Sequence, residues 1–364
     1  MTHLDPQTSS PKVLSESRPW AFTQSELTAS LRRFTGDPSL IISDIQAEDF
    51  AYRRPAIGRI RGLVVQCHGR TGDHEFQLVL KEPQGSTRTG TAGAGLREVS
   101  IYKTLGEQLP VRIPELLASH PGGGWLVMLR LSEGRQPEQW AASDYILATE
   151  QLVSLHDRFW GLGEDLATYK WISRPLDSDF SIFVRAATYN VENLSKAHPP
   201  TILSENSKLN TLLNGILGQL DEINTQLHKS PSTLLHGDFW PGNINVHRDG
   251  SLTVYDWEEA AIGPAIVDLI TFVHTSQWWF DPLPISGEEL IAHYRERITL
   301  ANGYSWNDED WEEQADYAMM WVFITEWMDL LATVPDSVLN ERLPLLEAVW
   351  LDPLRAAADR RLPK

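Results

Sequence analysis

Apolar residues recur along this chain with two different periods, and the dominant period changes about a third of the way in. Behind a polar, proline-punctuated opening that reads as a flexible arm over residues 1–20, Leu27, Leu31 and Phe34 repeat at helical spacing. Thr23 and Glu26 make a capping-box pair in front of them, and Gly36 is a plausible stop. Strand-like runs follow at Leu40-Ile41-Ile42, Gly62-Leu63-Val64-Val65 and Phe76-Gln77-Leu78-Val79-Leu80. A helical stripe of Leu96, Val99, Tyr102 and Leu105 then runs to Gly106, and Trp125-Leu126-Val127-Met128-Leu129 reads as another short strand. From Pro137 the spacing turns helical. Residues 143–160 carry Ile146, Leu147, Leu152, Leu155, Phe159 and Trp160, and residues 203–227 form a second long helical stretch. A β-rich unit over 21–129 and a mainly helical one over 130–364 are the expected α+β arrangement, with the boundary near 129–136.

Size agrees with two packed lobes, since 364 residues exceed the roughly 250–300 at which one core splits. The 42% hydrophobic content and 14 Trp supply ample material to bury. A formal charge of −18, from 31 basic and 49 acidic residues, disfavours nucleic acid and anionic membrane surfaces as partners. That charge is compatible with a cationic ligand, although solubility explains it equally well. Cys67 stands alone, which excludes an intramolecular disulfide framework and fits a reducing cytosol. No apolar run reaches membrane length and residues 1–17 contain no apolar leader segment, so a soluble cytoplasmic protein is expected.

The chemistry concentrates in His236-Gly237-Asp238-Phe239-Trp240-Pro241-Gly242-Asn243, followed thirteen residues later by Asp256-Trp257. Phosphoryl transfer through a metaphosphate-like transition state needs an in-line hydroxyl and neutralised charge more than it needs covalent help. An Asp followed five residues later by an Asn, with a further Asp entering from the next loop, supplies the acceptor-orienting and metal-binding groups. Between Asn243 and Asp256 the chain reads as a hairpin. Ile244-Asn245-Val246-His247 alternates, Asp249-Gly250 is a turn signal, and Ser251-Leu252-Thr253-Val254-Tyr255 alternates again. Such a hairpin would bring Asp256 back beside Asn243.

With Val254-Tyr255-Asp256-Trp257-Glu258-Glu259-Ala260 and the later Asp268-Leu269, this motif resembles the aminoglycoside phosphotransferase and choline-kinase-like group of small-molecule kinases. The resemblance is specific from His236 to Asp268 and continues more loosely upstream to Lys81. It implies a two-lobed, protein-kinase-like fold with a small β-rich N-lobe and a larger helical C-lobe. It also implies transfer of the γ-phosphate of ATP or GTP to a hydroxyl. Asp238 would be the catalytic aspartate, Asn243 and Asp256 the Mg2+ ligands, and His236 and Asp268 supports of the catalytic loop. Lys81, closing the Phe76 strand, resembles the nucleotide lysine, and Glu98 would be its partner. The backbone from Met128 through Leu129 to Leu131 would line the base. His156, beside the loop, reads as a core histidine.

Two elements depart from that pattern. The glycine-rich phosphate cover, expected around residues 56–62, has only Gly58 and Gly62, while Gly90, Gly93 and Gly95 follow the lysine and read as a mobile connection. Only residues 257–267 separate Asp256 from Asp268, too few for an activation segment, so a standing site is expected and a protein kinase is disfavoured. Glu258 and Glu259 read either as metal or substrate contacts or as helix-start or surface acids. Between Trp306 and Leu330 lie eight acids and no Lys or Arg: Asp308, Glu309, Asp310, Glu312, Glu313, Asp316, Glu326 and Asp329. Together with Trp306, Trp311, Tyr317, Trp321 and Trp327 they read as an acidic cleft for a cationic acceptor, with Asp310, Glu313 and Asp316 as its test positions, or as a helix burying Trp321, Ile324 and Met328. The expected activity is that of a small-molecule kinase. The alternative is a catalytically weak nucleotide-binding or scaffold protein of the same fold.

Overall fold

The computed structural model describes residues 20–48, 59–83, 92–196 and 203–363. Its N-lobe begins with α1 (Gln24–Thr35), whose Thr23 and Glu26 form the reciprocal capping box. Leu27 and Leu31 of α1 pack on a sheet built from β1 (Ile41–Glu48), β2 (Arg59–Gly69) and β3 (Gly72–Glu82). After the sheet's third strand come α2 (Ala94–Ser100), a π-turn over Ile101–Leu105, then β4 (Leu116–Ser119) and β5 (Leu126–Leu129). The strands run antiparallel in the order β1-β2-β3-β5-β4, with Lys81 opposite Ile60 on one side and Leu126 on the other. Strand β4 gave no clear sequence signal because its four residues lie between Pro114 and the glycines from Gly122. Gly58 and Gly90 lie outside the described residues, as does the arm up to residue 19.

The C-lobe is helical except around the motif. Helices α3 (Ala142–Arg158), α4 (Gly163–Leu166), α5 (Phe180–Ser195), α6 (Ser207–Leu217) and α7 (Leu220–Leu227) precede it. The motif lies among β6 (Ser232–Leu235), β7 (Ile244–Val246), β8 (Leu252–Val254) and β9 (Ala261–Pro264). Helices α8 (Ile266–Phe280), α9 (Gly287–Asn302), α10 (Asp308–Val322), α11 (Met328–Thr333), α12 (Asp336–Leu346) and α13 (Asp352–Arg361) complete the chain. The stretch over 203–227 is two helices rather than one, broken at Gly218-Gln219, where the weak helix former ends α6. Trp321, Ile324 and Met328 are fully packed in the C-lobe core.

Two cores result. One lies between α1 and the sheet; the other runs through the C-lobe and takes in Val99, Ile101, Tyr102 and Leu105. The stripe on α2 differs from the sequence expectation in one place, because Leu96 is exposed and Ile101 is buried instead. The π-turn adds a residue to the helical register and rotates the apolar face. Among the described residues no helix is long and apolar enough to cross a membrane.

Candidate active site

Strand β6 pairs antiparallel with β9, and the His236–Asn243 motif leaves the end of β6 as a loop held from below by one carboxylate. Asp268, fully buried on α8, accepts the His236 amide on Oδ2 at 2.7 Å and the Gly237 amide on Oδ1 at 2.9 Å. His156, also fully buried, sits 3.3 Å from the same Oδ2 through Nε2 and 2.7 Å from the Tyr294 hydroxyl through Nδ1. The His236 ring accepts the Asp238 amide on Nδ1 at 3.2 Å and reaches the Tyr255 carbonyl through Nε2 at 3.1 Å. That pairing assigns the proton to Nε2. Burial lowers the His236 pKa against the opposing pull of Asp268, Asp238 and Asp256, so the ring is neutral at pH 7. Gly237 has φ +81° and a Cβ there would meet the Glu259 carbonyl oxygen at 2.1 Å. Only glycine fits between the loop and the turn beneath it.

Asp238 and Asn243 face each other across the loop. Asn243 Nδ2 donates to Asp238 Oδ2 at 2.9 Å and to its backbone carbonyl at 2.8 Å, through a 3-10 turn at Pro241–Asn243. The hairpin then pairs Ile244 with Val254 and Val246 with Leu252. Its return is fixed where the Tyr255 amide donates to the Asn243 carbonyl at 3.0 Å, which sets Asp256 next to Asn243. Asp256 adopts φ +70°, the left-handed region, uncommon for a non-glycine residue and a mark of local strain. Trp257 is fully buried, its ring 4.5 Å from that of His236.

Lys81 spans the lobes to the same turn. Its ammonium pairs with Glu98 at 2.8 Å, with Glu258 at 3.0 Å, and with Asp256 through a short contact to Oδ1. Burial would depress the lysine, but the carboxylates of Asp256, Glu98 and Glu258 outweigh it and hold the ammonium charged well above the ordinary lysine range. Burial also raises Glu98 to about 7, helped by Asp256 and Glu258 and opposed by Lys81. Oxygens of Glu98, Asp256 and Glu258 lie within 4.8 Å of one another, a hard-oxygen set suited to a small divalent cation. Glu258 is one of the two acids, with Glu259, whose sequence reading left metal or substrate contact open against a helix-start or surface role.

The segment expected to line the base, Met128 to Leu131, is partly committed to the sheet. Met128 is buried in β5, and the Leu129 and Arg130 amides already donate to the carbonyls of Glu115 and Gln77 at 3.0 and 2.9 Å. Those donors are consumed in joining strands, so a base would find its first backbone donor at Leu131 or beyond.

A cavity opens beside Asp238, walled by Phe183, Trp321, Val267, Glu259 and Glu326. Glu326 sits in a π-turn over Phe323–Trp327 that joins α10 to α11, and the Thr271 hydroxyl donates to it at 3.3 Å. Burial, with Asp238, Glu259 and Asp268 adding to it, raises the Glu326 carboxyl well above the usual range. The acids singled out on α10 serve elsewhere. Asp316 is bound by Arg360 at 2.6 Å and by Arg361 at 2.7 Å, Glu313 faces Lys229 at 3.6 Å, and Asp310 accepts from Asn307 at 2.8 Å. The cations that the stretch itself lacks come from α13, from Lys229 just after α7 and, for Asp308, from Arg295 on α9. Of the eight acids, Glu326 is the one that lines the cavity.

Among solved structures, an ethanolamine kinase from Plasmodium vivax is similar at a TM-score of 0.53 and 13% identity, covering 86% of this chain and 83% of that one. An aminoglycoside phosphotransferase from Alicyclobacillus acidocaldarius is similar at a TM-score of 0.51 and 13% identity, covering 96% and 98%. At such identities the likeness establishes the two-lobed α+β fold. No curated protein matches the chain. The sequence model of the phosphotransferase enzyme family matches residues 63–317, from the second strand of the sheet through the His236–Asn243 loop to α10. A match over that much of the chain, on the fold of small-molecule kinases, makes this protein a member of the phosphotransferase enzyme family.

Proposed function

We propose that this protein is a magnesium-dependent small-molecule kinase that transfers the γ-phosphate of ATP or GTP to a hydroxyl of a small cationic acceptor. The observation that carries this reading is the convergence on one loop of Asp238, Asn243 at 2.9 Å from it, and Asp256, returned by the hairpin to the buried ammonium of Lys81. Asp238 faces the cavity and is placed to orient an acceptor hydroxyl and to take its proton at Oδ. Asn243, Asp256 and Glu258 would hold Mg2+, which would supply positive charge to offset the charge that develops during transfer. Lys81 exchanges part of its carboxylate shell for nucleotide phosphates, while Glu98 keeps it in place. Asp268 and His236 set the loop, with backbone from Leu131 onward reading the base.

The acceptor end supports an ammonium-bearing alcohol. Glu259 supplies negative charge, Glu326 adds a carboxyl that is charged only above its raised pKa, and Phe183 and Trp321 supply aromatic faces, beside the aspartate that must meet the hydroxyl. A cytosolic nucleotide and the lone buried Cys67 fit a cytoplasmic location. The test is a panel of small amino alcohols, aminoglycosides and uncharged diols incubated with ATP or GTP and Mg2+, following phosphorylated product and nucleoside diphosphate together. Acceptor-dependent production of both is expected. Nucleotide binding with no acceptor-dependent turnover would replace this reading with that of a non-catalytic nucleotide-binding protein.

A further inference from the structure

Arg97 precedes Glu98 on α2, is only 3% exposed, and has no role in the chemistry described above. Its guanidinium donates to three backbone carbonyls from separate parts of the chain. Nη1 reaches Glu258 at 2.5 Å, Nε reaches Trp171 at 3.2 Å, and Nη2 reaches Ala92 at 3.3 Å. Glu258 belongs to the turn that follows Asp256, and Trp171 to a C-lobe segment joined to β9 by the Ile262 amide donating to the Ser173 carbonyl at 2.9 Å. One buried cation therefore connects the start of the N-lobe helix, the floor of the catalytic loop and the metal turn. A planar fork with donors in fixed directions suits this bridging, which a single ammonium could not reproduce.

The opposite side of α2 is gripped too. A Cβ on Gly95 would lie 2.1 Å from the Gly123 carbonyl oxygen, and one on Gly123, at φ +75°, would lie 2.0 Å from the Leu96 amide nitrogen. Backbone therefore meets backbone between the helix and the turn joining β4 to β5. The following π-turn sends Ile101, Tyr102 and Leu105 into the C-lobe core, and the Tyr102 hydroxyl donates to Glu98 Oε1 at 3.4 Å. Nothing in this packing gives the helix room to slide while Arg97 holds.

We propose that Arg97 is a positioning residue: it locks the Glu98 helix to the turn after Asp256, so that the Lys81, Glu98 and Asp256 assembly stands complete before nucleotide arrives. This rests on reading Lys81 and Asp256 as nucleotide and metal groups. A protein competent for only a fraction of the time binds more weakly by that fraction, so releasing the helix for nine-tenths of the time raises the apparent Kd about tenfold.

The test uses the full-length protein with Arg97→Lys, which keeps the charge but loses the fork, and Arg97→Met, which loses both. Hydrogen exchange is followed by segment, and MgATP affinity by calorimetry. In Arg97→Lys we expect exchange to quicken over residues 94–105 and 257–259 with α8 unchanged, the MgATP Kd to rise about tenfold, and acceptor KM to stay within about twofold. Arg97→Met should go further in the same direction. In a Glu98→Gln background the Arg97→Lys effect on Kd should largely vanish, because both act through Lys81. Unchanged exchange over 94–105, a wild-type Kd in folded Arg97→Lys, or full additivity with Glu98→Gln would each overturn the proposal. If Arg97→Met does not fold, Arg97→Lys decides alone. If the wild-type protein binds no MgATP, the nucleotide reading fails instead, and segment exchange in Arg97→Lys still decides whether Arg97 locks the helix.

Discussion

Replacing Asp268 with Asn keeps the volume of the side chain and removes its charge, in a place where both oxygens are committed. Oδ1 accepts from the Gly237 amide and Oδ2 from the His236 amide, with His156 close to the latter. An asparagine can accept on one side only. Whichever way the amide is turned, its NH2 confronts an amide donor. The orientation of lower energy aims that NH2 at Gly237, since among the described residues one donor lies on that side and two lie on the other. A hydrogen bond to a charged group contributes roughly 1.5–3 kcal/mol, and an orphaned buried donor costs roughly 1–3. Because these overlap for a single contact, the expected loss is about 2–4 kcal/mol. At about 2–4 °C per kcal/mol the midpoint should fall by roughly 4–16 °C. Gly237 is the residue before Asp238, so the displaced peptide also misaims the catalytic carboxylate, and a shift near 1 Å is worth up to about 10²-fold in rate. Thermal unfolding by circular dichroism and steady-state turnover on the same preparation read both effects. A midpoint within about 1 °C of wild type together with unchanged kcat would refute the view that Asp268 carries the loop.

Other outcomes follow from the same geometry. Asp256→Ala removes an oxygen donor beside Asn243 and should weaken nucleotide binding at least about tenfold with Mg2+ present while leaving Mg2+-free binding near wild type, as read by paired titrations. Glu326 has a raised pKa, so its charge, and with it attraction for an ammonium group, is lost as pH falls through that raised value. kcat/KM for a cationic acceptor should therefore rise with pH more steeply than for an uncharged diol. Glu326→Gln should abolish the difference in slope, and parallel profiles in the wild type would rule out Glu326 as the reader of charge.

Much of this architecture was legible in the sequence because its signals are local. The Asp238, Asn243 and Asp256 set lies within one turn and one hairpin, and the Asp249-Gly250 signal is enough to fold Asp256 back toward Asn243. Lys81 could be found because it closes an alternating strand, and Glu98 because it lies inside a helical stripe. The unreadable parts depend on long-range or register-breaking features. Glu326 lies among seven other acids, and a π-turn with no sequence signature carries it to the cavity. Asp316 looked available for a ligand because its arginines lie 44 and 45 residues away on α13. Arg97 gave no sequence signal, since its partners are backbone carbonyls that no side-chain pattern reveals. At the hinge, the strand run located Met128 and Leu129, but the partners of their amides depend on how β3, β4 and β5 align.

The central claim is that Asp238 handles the acceptor proton while the neighbouring oxygens and Lys81 handle the nucleotide. Asp238→Asn separates the two, because an amide at this position can still accept from Asn243 Nδ2 and so keep the loop. Single-turnover phosphorylation of an active acceptor, measured beside MgATP affinity, should show a rate about 10²–10⁴-fold lower, or roughly 3–5 kcal/mol of barrier, at unchanged affinity. A rate within about threefold of wild type would contradict the account.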